Sequence, residues 1–134
     1  MTPARLLLDT HIVLWMRAEP GRLSAAEASA VSTAERLHAS AATLWEIASL
    51  VGLGRIPPEP DLMAPQRGVE LLPISPAHCV ELSRLPRIHR DPFDRMLIAQ
   101  ARVEGLALVT RDHAIRACGA EGAVVFPPPP ETVP

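Results

Sequence analysis

Lysine, asparagine and tyrosine are absent from the chain, and its aromatic residues reduce to two Trp and two Phe. With no lysine, the 13 basic residues are all Arg. The formal net charge of −2 argues against a protein that coats nucleic acid by bulk electrostatics. Trp15, Trp45, Phe93 and Phe126 are too few and too scattered in the sequence to suggest an aromatic platform for stacking RNA bases. Cysteine is scarce as well. Cys79 and Cys118 have no spacing that suggests zinc or a redox motif, and both are expected to be small buried apolar residues. His11, His38, His78, His89 and His113 show no helical ligand pairing, which argues against zinc hydrolysis. No apolar run approaches the ~18 residues of a membrane span. The first apolar stretch stops at a carboxylate, Asp9, before it could serve as a secretory signal, so a cytoplasmic protein with no membrane association is expected.

Short apolar segments alternate with helical periodicity, punctuated by 7 Gly and 15 Pro. Arg5 to Leu8 reads as a buried first strand, followed by a helix over residues 10 to 18 that Glu19-Pro20-Gly21 closes. Ser24 caps an Ala-rich helix to about Ser32, Leu37 to Ala39 is a strand, and residues 41 to 52 form a third helix. Pro57, Pro58, Pro60 and Pro65 mark an internal connection with one short helix at its end. Val69 to Ile74 is a strand interrupted by Pro73, hence an edge strand or two pieces. Ser75-Pro76 and Asp91-Pro92 open two further helices, and Gly105 stops the second. Leu106 to Thr110 is the clearest strand in the chain. A short helix from Asp112 and a last strand, Ala123 to Phe126, complete one domain over residues 1–126, with a proline-rich tail at 127–134. This alternation implies an α/β fold in three layers, α/β/α, around a central, mainly parallel sheet. In such sheets ligands sit beyond the carboxyl ends of the strands, where strand order reverses. Asp9 and Asp112 both fall at such ends.

Taken singly, most of the acids have a structural explanation. Asp91 before Pro92 is an N-cap, Asp94 falls at the third helical position, and Asp9 and Asp112 can each cap a following helix. Glu46 is different. It lies inside a helix whose Ala42, Leu44, Ile47, Ala48, Leu50, Val51 and Leu53 leave little polar face, so it is expected to be largely buried and to need a cation, a hydrogen-bond donor or a raised pKa, with a partner Arg as the plainer alternative. As a set, three or four carboxylates at one sheet edge repel one another. Even at an effective dielectric of 20, two charges ~4 Å apart cost about 4 kcal/mol. Mg²⁺ or Mn²⁺ resolves that conflict with carboxylate and water oxygens, and phosphodiester hydrolysis is the chemistry such a site serves most directly.

Four blocks in this order and spacing give the chain a specific likeness: LLLDTHIVLW at 6 to 15, ATLWEIASLVGLGRI at 42 to 56, HRDPFDRMLIAQA at 89 to 101 and LALVTRD at 106 to 112. The chain resembles the PIN-domain ribonucleases, in particular the VapC-like toxins of type II toxin–antitoxin systems. The resemblance implies a magnesium-dependent endoribonuclease whose Asp9, Glu46, Asp94 and Asp112 bind the metal, with Mn²⁺ as a possible substitute. Thr10 and Thr110 match threonines that hold a carboxylate or water beside the acids. Asp91 is assigned first to capping and second to the site. Arg95 and Arg111 flank acidic positions and meet either those acids or substrate phosphate, with ion pairing preferred. His11 is usual in the subgroup and reads as a local hydrogen-bonding residue. Many relatives carry Lys where this chain has Leu50, which removes a positive charge beside the site.

The resemblance further implies an RNA substrate, a homodimer and a small antitoxin that blocks the site and an apolar groove near it, for which the helix with Trp15 and Met16 is a candidate. Two other acid-after-strand families do not fit. A haloacid-dehalogenase phosphatase requires Asp where His11 stands, and a receiver domain requires a late Lys. The competing expectation is a catalytically inactive PIN-fold module that binds a protein partner, its acids serving as caps and ion pairs. Divalent-metal affinity separates the two.

Overall fold

A computed structural model describes residues 5–86, 91–110 and 125–126. Five strands, β1 (Arg5–Leu8), β2 (Arg36–Ser40), β3 (Val69–Leu72), β4 (Ala107–Val109) and β5 (Val125–Phe126), form one sheet in the order β3-β2-β1-β4-β5. Every adjacent pair is parallel. Helices α1 (Thr10–Ala18), α2 (Ala25–Thr33), α3 (Ala41–Gly52), α4 (Pro76–Arg84) and α5 (Pro92–Glu104) connect them. A sheet buried on both faces needs apolar side chains at consecutive positions, as in Leu6-Leu7-Leu8. Leu7 and Leu108 face Leu97, Ile98 and Ala101 of α5, while Leu6, Leu8, Ala107 and Val109 face Ile12 and Val13 of α1 and Ala30 of α2. These are the three layers expected from the alternation of strands and helices.

Helix boundaries follow local chemistry. Ser24 and Ser75 each take part in a reciprocal capping arrangement, Ser24 with Glu27 and Ser75 with His78. Asp91 caps α5 ahead of Pro92, and Gly105 ends it at φ 66° in the left-handed region, where a side chain is disfavoured. β3 stops at Leu72, one residue before Pro73, and occupies the sheet edge, as the proline demands. The short helical turn in the proline-rich connection, Pro60–Met63, lies in its middle rather than at its end. Arg17 of α1 holds that segment by donating to the carbonyls of Asp61 and Ala64.

Two expectations fail. Cys79 is exposed rather than buried, because it lies on the outer side of α4. α3 is not largely buried despite its apolar composition, since Trp45, Ala48 and Leu53 face outward and only Ala42, Thr43 and Ile47 are fully buried. Apolar residues on a helix need not all be covered. Glu46 is consequently half-buried. Among the described residues, no helix is long and apolar enough to cross a membrane. Asp112, Arg111, Cys118, the short helix expected from Asp112 and the tail at 127–134 lie outside the described residues.

Candidate metal centre at the sheet edge

The strand order reverses between β1 and β4: from β1 the chain moves outward through β2 to β3, then crosses back to β4 on the other side of β1. Asp9 leaves β1 at this switch point, its backbone N–H bonded to the carbonyl of Val109 at 3.0 Å. The residue is 5% exposed and caps α1 by accepting from the backbone N–H of His11 at 3.2 Å. Thr110, fully buried just past β4, donates its hydroxyl to the second oxygen of Asp9 across 101 residues of chain. The cap on one side and the hydroxyl on the other fix the Asp9 carboxylate before any ligand arrives.

Glu46 projects from α3, whose first turn is capped by Ser40 at the end of β2. Thr10 donates to Glu46 Oε1 at 2.6 Å. A hydroxyl has one proton, so the 3.2 Å hydrogen bond between Thr10 and the buried Thr43 has Thr43 as its donor. Thr43, one helical turn before Glu46, thus orients Thr10, which orients Glu46. Sequence reasoning did not assign Thr43 a role. Its position three residues ahead of Glu46 puts it on the same helix face, the one available signal.

Burial holds the Glu46 carboxyl above its ordinary value of 4.5, and the nearby charges of Asp91 and Asp9 push the same way, while the Thr10 hydrogen bond and His11 oppose them. Asp9 and Asp91 thus both lie within electrostatic reach of Glu46, although the three residues come from different parts of the chain. Asp91 therefore both caps α5, accepting from Phe93 N at 2.9 Å and Asp94 N at 3.3 Å, and bears on Glu46. Asp94 sits half-buried in the first turn of the same helix. Arg95 donates to the carbonyls of Leu82, Leu85 and Pro86, which close the end of α4, a structural duty not anticipated from the sequence. His11 is exposed beside Asp9, with Nδ1 at 4.0 Å from Oδ1.

Among the described residues, no three His, Cys, Asp or Glu side chains stand together closely enough to hold a metal ion as placed. The donor chemistry nonetheless fits a hard divalent cation. It consists of carboxylate oxygens, two of them pinned by threonine hydroxyls, around a glutamate whose charge is disfavoured until a cation offsets it.

The PIN domain family model matches residues 6–120. The chain is 34% identical over 116 residues to Ribonuclease VapC22 from Mycobacterium tuberculosis (strain ATCC 25618 / H37Rv), an alignment covering 83% of this chain and 89% of that protein. Among solved structures, VapBC2 from Rickettsia felis bound to a promoter DNA fragment superposes with a TM-score of 0.65 at 12% identity, covering 90% of this chain and 95% of the other. VapBC-5 from Mycobacterium tuberculosis, a member of the VapBC family of toxin–antitoxin systems, gives 0.58 at 23% identity over 92% and 96%. At these identities the two structures speak for the shared fold.

Proposed function

The chain belongs to the PIN domain family, and from that premise we propose that it is a VapC-like toxin, a magnesium-dependent endoribonuclease that hydrolyses RNA phosphodiester bonds in the cytoplasm. The ribonuclease relative at 34% identity supports the activity. The observation that carries the chemistry is the pinning of two carboxylates from different elements, Asp9 by Thr110 and Glu46 by Thr10, at the switch point of a parallel sheet.

Asp9, Glu46, Asp94 and Asp112 are the proposed holders of Mg²⁺, with Mn²⁺ as a substitute and Asp91 in support. When bound, such an ion lowers the pKa of a water and offsets charge developing on the phosphate. The chain's own part is preorganisation. Thr110 and the His11 N–H in the first turn of α1 hold Asp9 in one orientation, so no reorientation is required as the substrate binds. Thr10, backed by Thr43, does the same for Glu46. No side-chain nucleophile is needed. A homodimer and a cognate antitoxin protein complete the proposal, on the strength of the VapC-like sequence blocks.

The test incubates antitoxin-free protein with total RNA in Mg²⁺ or Mn²⁺, with and without chelator, beside an Asp94→Asn variant prepared identically. Discrete cleavage that requires both metal and Asp94 is expected. Equal degradation by wild type and variant would assign the activity to a contaminant. Absence of both cleavage and metal binding would leave a non-catalytic interaction module.

A further inference from the structure

The sequence gives no hint of an aromatic platform, yet the fold assembles one at the rim of the acidic cluster. Trp45 is the residue before Glu46, and Phe93 the residue before Asp94. They lie on different helices, α3 and α5, and meet edge to face with ring centroids 5.1 Å apart and planes at 83°. In that geometry Phe93 can occupy at most one face of the indole. Trp45 is 64% exposed, so much of its remaining surface is open to solvent. A chain with only two Trp and two Phe therefore spends one of each on a pair beside its carboxylates, the Phe half-buried and the Trp turned to solvent. A role in the core does not explain the choice, because a side chain this exposed contributes little burial.

Resting on the ribonuclease reading above, we propose that Trp45, braced by Phe93, is the stacking surface for an unpaired nucleobase of the RNA next to the scissile phosphate. The charge distribution favours this occupant. The cluster is acidic, and the chain has no Lys and a net charge of −2, so the protein's own charge does little to attract the phosphate backbone here. A base offers affinity without charge: its π face stacks on an indole whatever its identity. The T-shaped contact lowers the entropy lost on binding by limiting the rotation of the indole beforehand. The pair lies beside the acids in space as well as in sequence: Phe93, in contact with Trp45, donates its backbone N–H to Asp91 at 2.9 Å, and the same helical turn carries Asp94. The site accordingly takes single-stranded RNA, in which a base can be splayed out of its stack.

The test is a coupling measurement. A cut site is mapped in total RNA, and a short synthetic oligoribonucleotide spanning it is made intact and with abasic nucleotides placed singly on either side of the cut. Cleavage in Mg²⁺ is followed for wild type, Trp45→Phe and Trp45→Leu, the last keeping apolar bulk without a π face. On the intact oligonucleotide, Trp45→Leu is expected to raise KM about tenfold, with kcat changed far less, and Trp45→Phe to recover most of the loss. One abasic position is expected to cost wild type about the same factor and to cost Trp45→Leu almost nothing, because the partner is already missing. Circular dichroism spectra and melting temperatures matching wild type would show that Trp45→Leu folds. Additive effects of abasic site and Trp45→Leu would overturn the stacking assignment while leaving the ribonuclease intact. Unchanged cleavage by Trp45→Leu, together with an altered sedimentation mass, would overturn it too and assign the rim to contact between protein chains. Wild-type protein that cuts no RNA would remove both readings.

Discussion

Burial and two neighbouring carboxylates favour the protonated form of Glu46, and the Thr10 hydrogen bond and His11 only partly offset them. The folded chain therefore holds this proton more tightly than the unfolded one. Below about 4.5 both states are protonated and the residue makes no difference to stability. As the pH rises through the higher folded value, the charge appears in the folded state at a cost and stability is lost. Glu46→Gln keeps an oxygen that can accept from Thr10 but removes the charge. In chelator at neutral pH, this variant is expected to melt above wild type, with the gap closing as the pH falls toward 4.5. Thermal denaturation across that range checks it, and a variant that melts lower throughout would mean that a cation of the protein already compensates Glu46. Cleavage by the same variant should be lost, because the residue that destabilises the metal-free protein is the one proposed to hold the ion. A functional site that opposes stability is a common pattern.

Between elements, a buried polar strap joins α3, α4 and α5. Ser40 caps α3 and donates to Gln100 Oε1 on α5, 60 residues away. Gln100 Nε2 lies within hydrogen-bond distance of the Pro73 carbonyl (3.3 Å) and of His78 Nδ1 (3.4 Å). Ser75 N also donates to that Nδ1, so the ring proton sits on Nε2 and faces Glu104 at 2.9 Å. Gln100→Leu deprives the Ser40 hydroxyl and the Pro73 carbonyl of their partner, and an orphaned buried group costs about 1–3 kcal/mol. The expected loss is about 2–4 kcal/mol, read from the urea midpoint; a loss below about 0.5 kcal/mol would mean that water replaces the amide. This strap also marks where sequence reading stops. Ser24, Ser75-Pro76, Asp91-Pro92 and Gly105 announce helix ends because capping is settled within a few residues. The partners of Gln100, the closure of α4 by Arg95 and the meeting of Trp45 with Phe93 depend on contacts between separate elements, which no local pattern encodes. The same holds at the site. The positions of Asp9 and Thr110 at strand ends are legible, whereas the influence of Asp91 on Glu46 emerges only when α3 and α5 pack.

At the scale of the molecule, β1 is the central strand of the sheet and Asp9 is its continuation, so a cation held by Asp9 is tied directly to the core. An ion that binds only the folded state stabilises all of it. At a free concentration one hundred times Kd the increment is about 2.7 kcal/mol. Mn²⁺ titration should therefore raise the melting temperature of wild type, and Asp9→Asn should lose most of that rise; a rise equal in both proteins would place the ion elsewhere. The Asp9–Thr110 hydrogen bond has another consequence, in time rather than in energy. Its two ends are 101 residues apart, so during synthesis Asp9 is added to the chain roughly 5–20 s before Thr110 is. Through that interval β1 has no β4 beside it and the Asp9 carboxylate has no hydroxyl to orient it. A nascent chain is thus disarmed next to the ribosome and messenger that are making it, and becomes competent only once β4 has emerged.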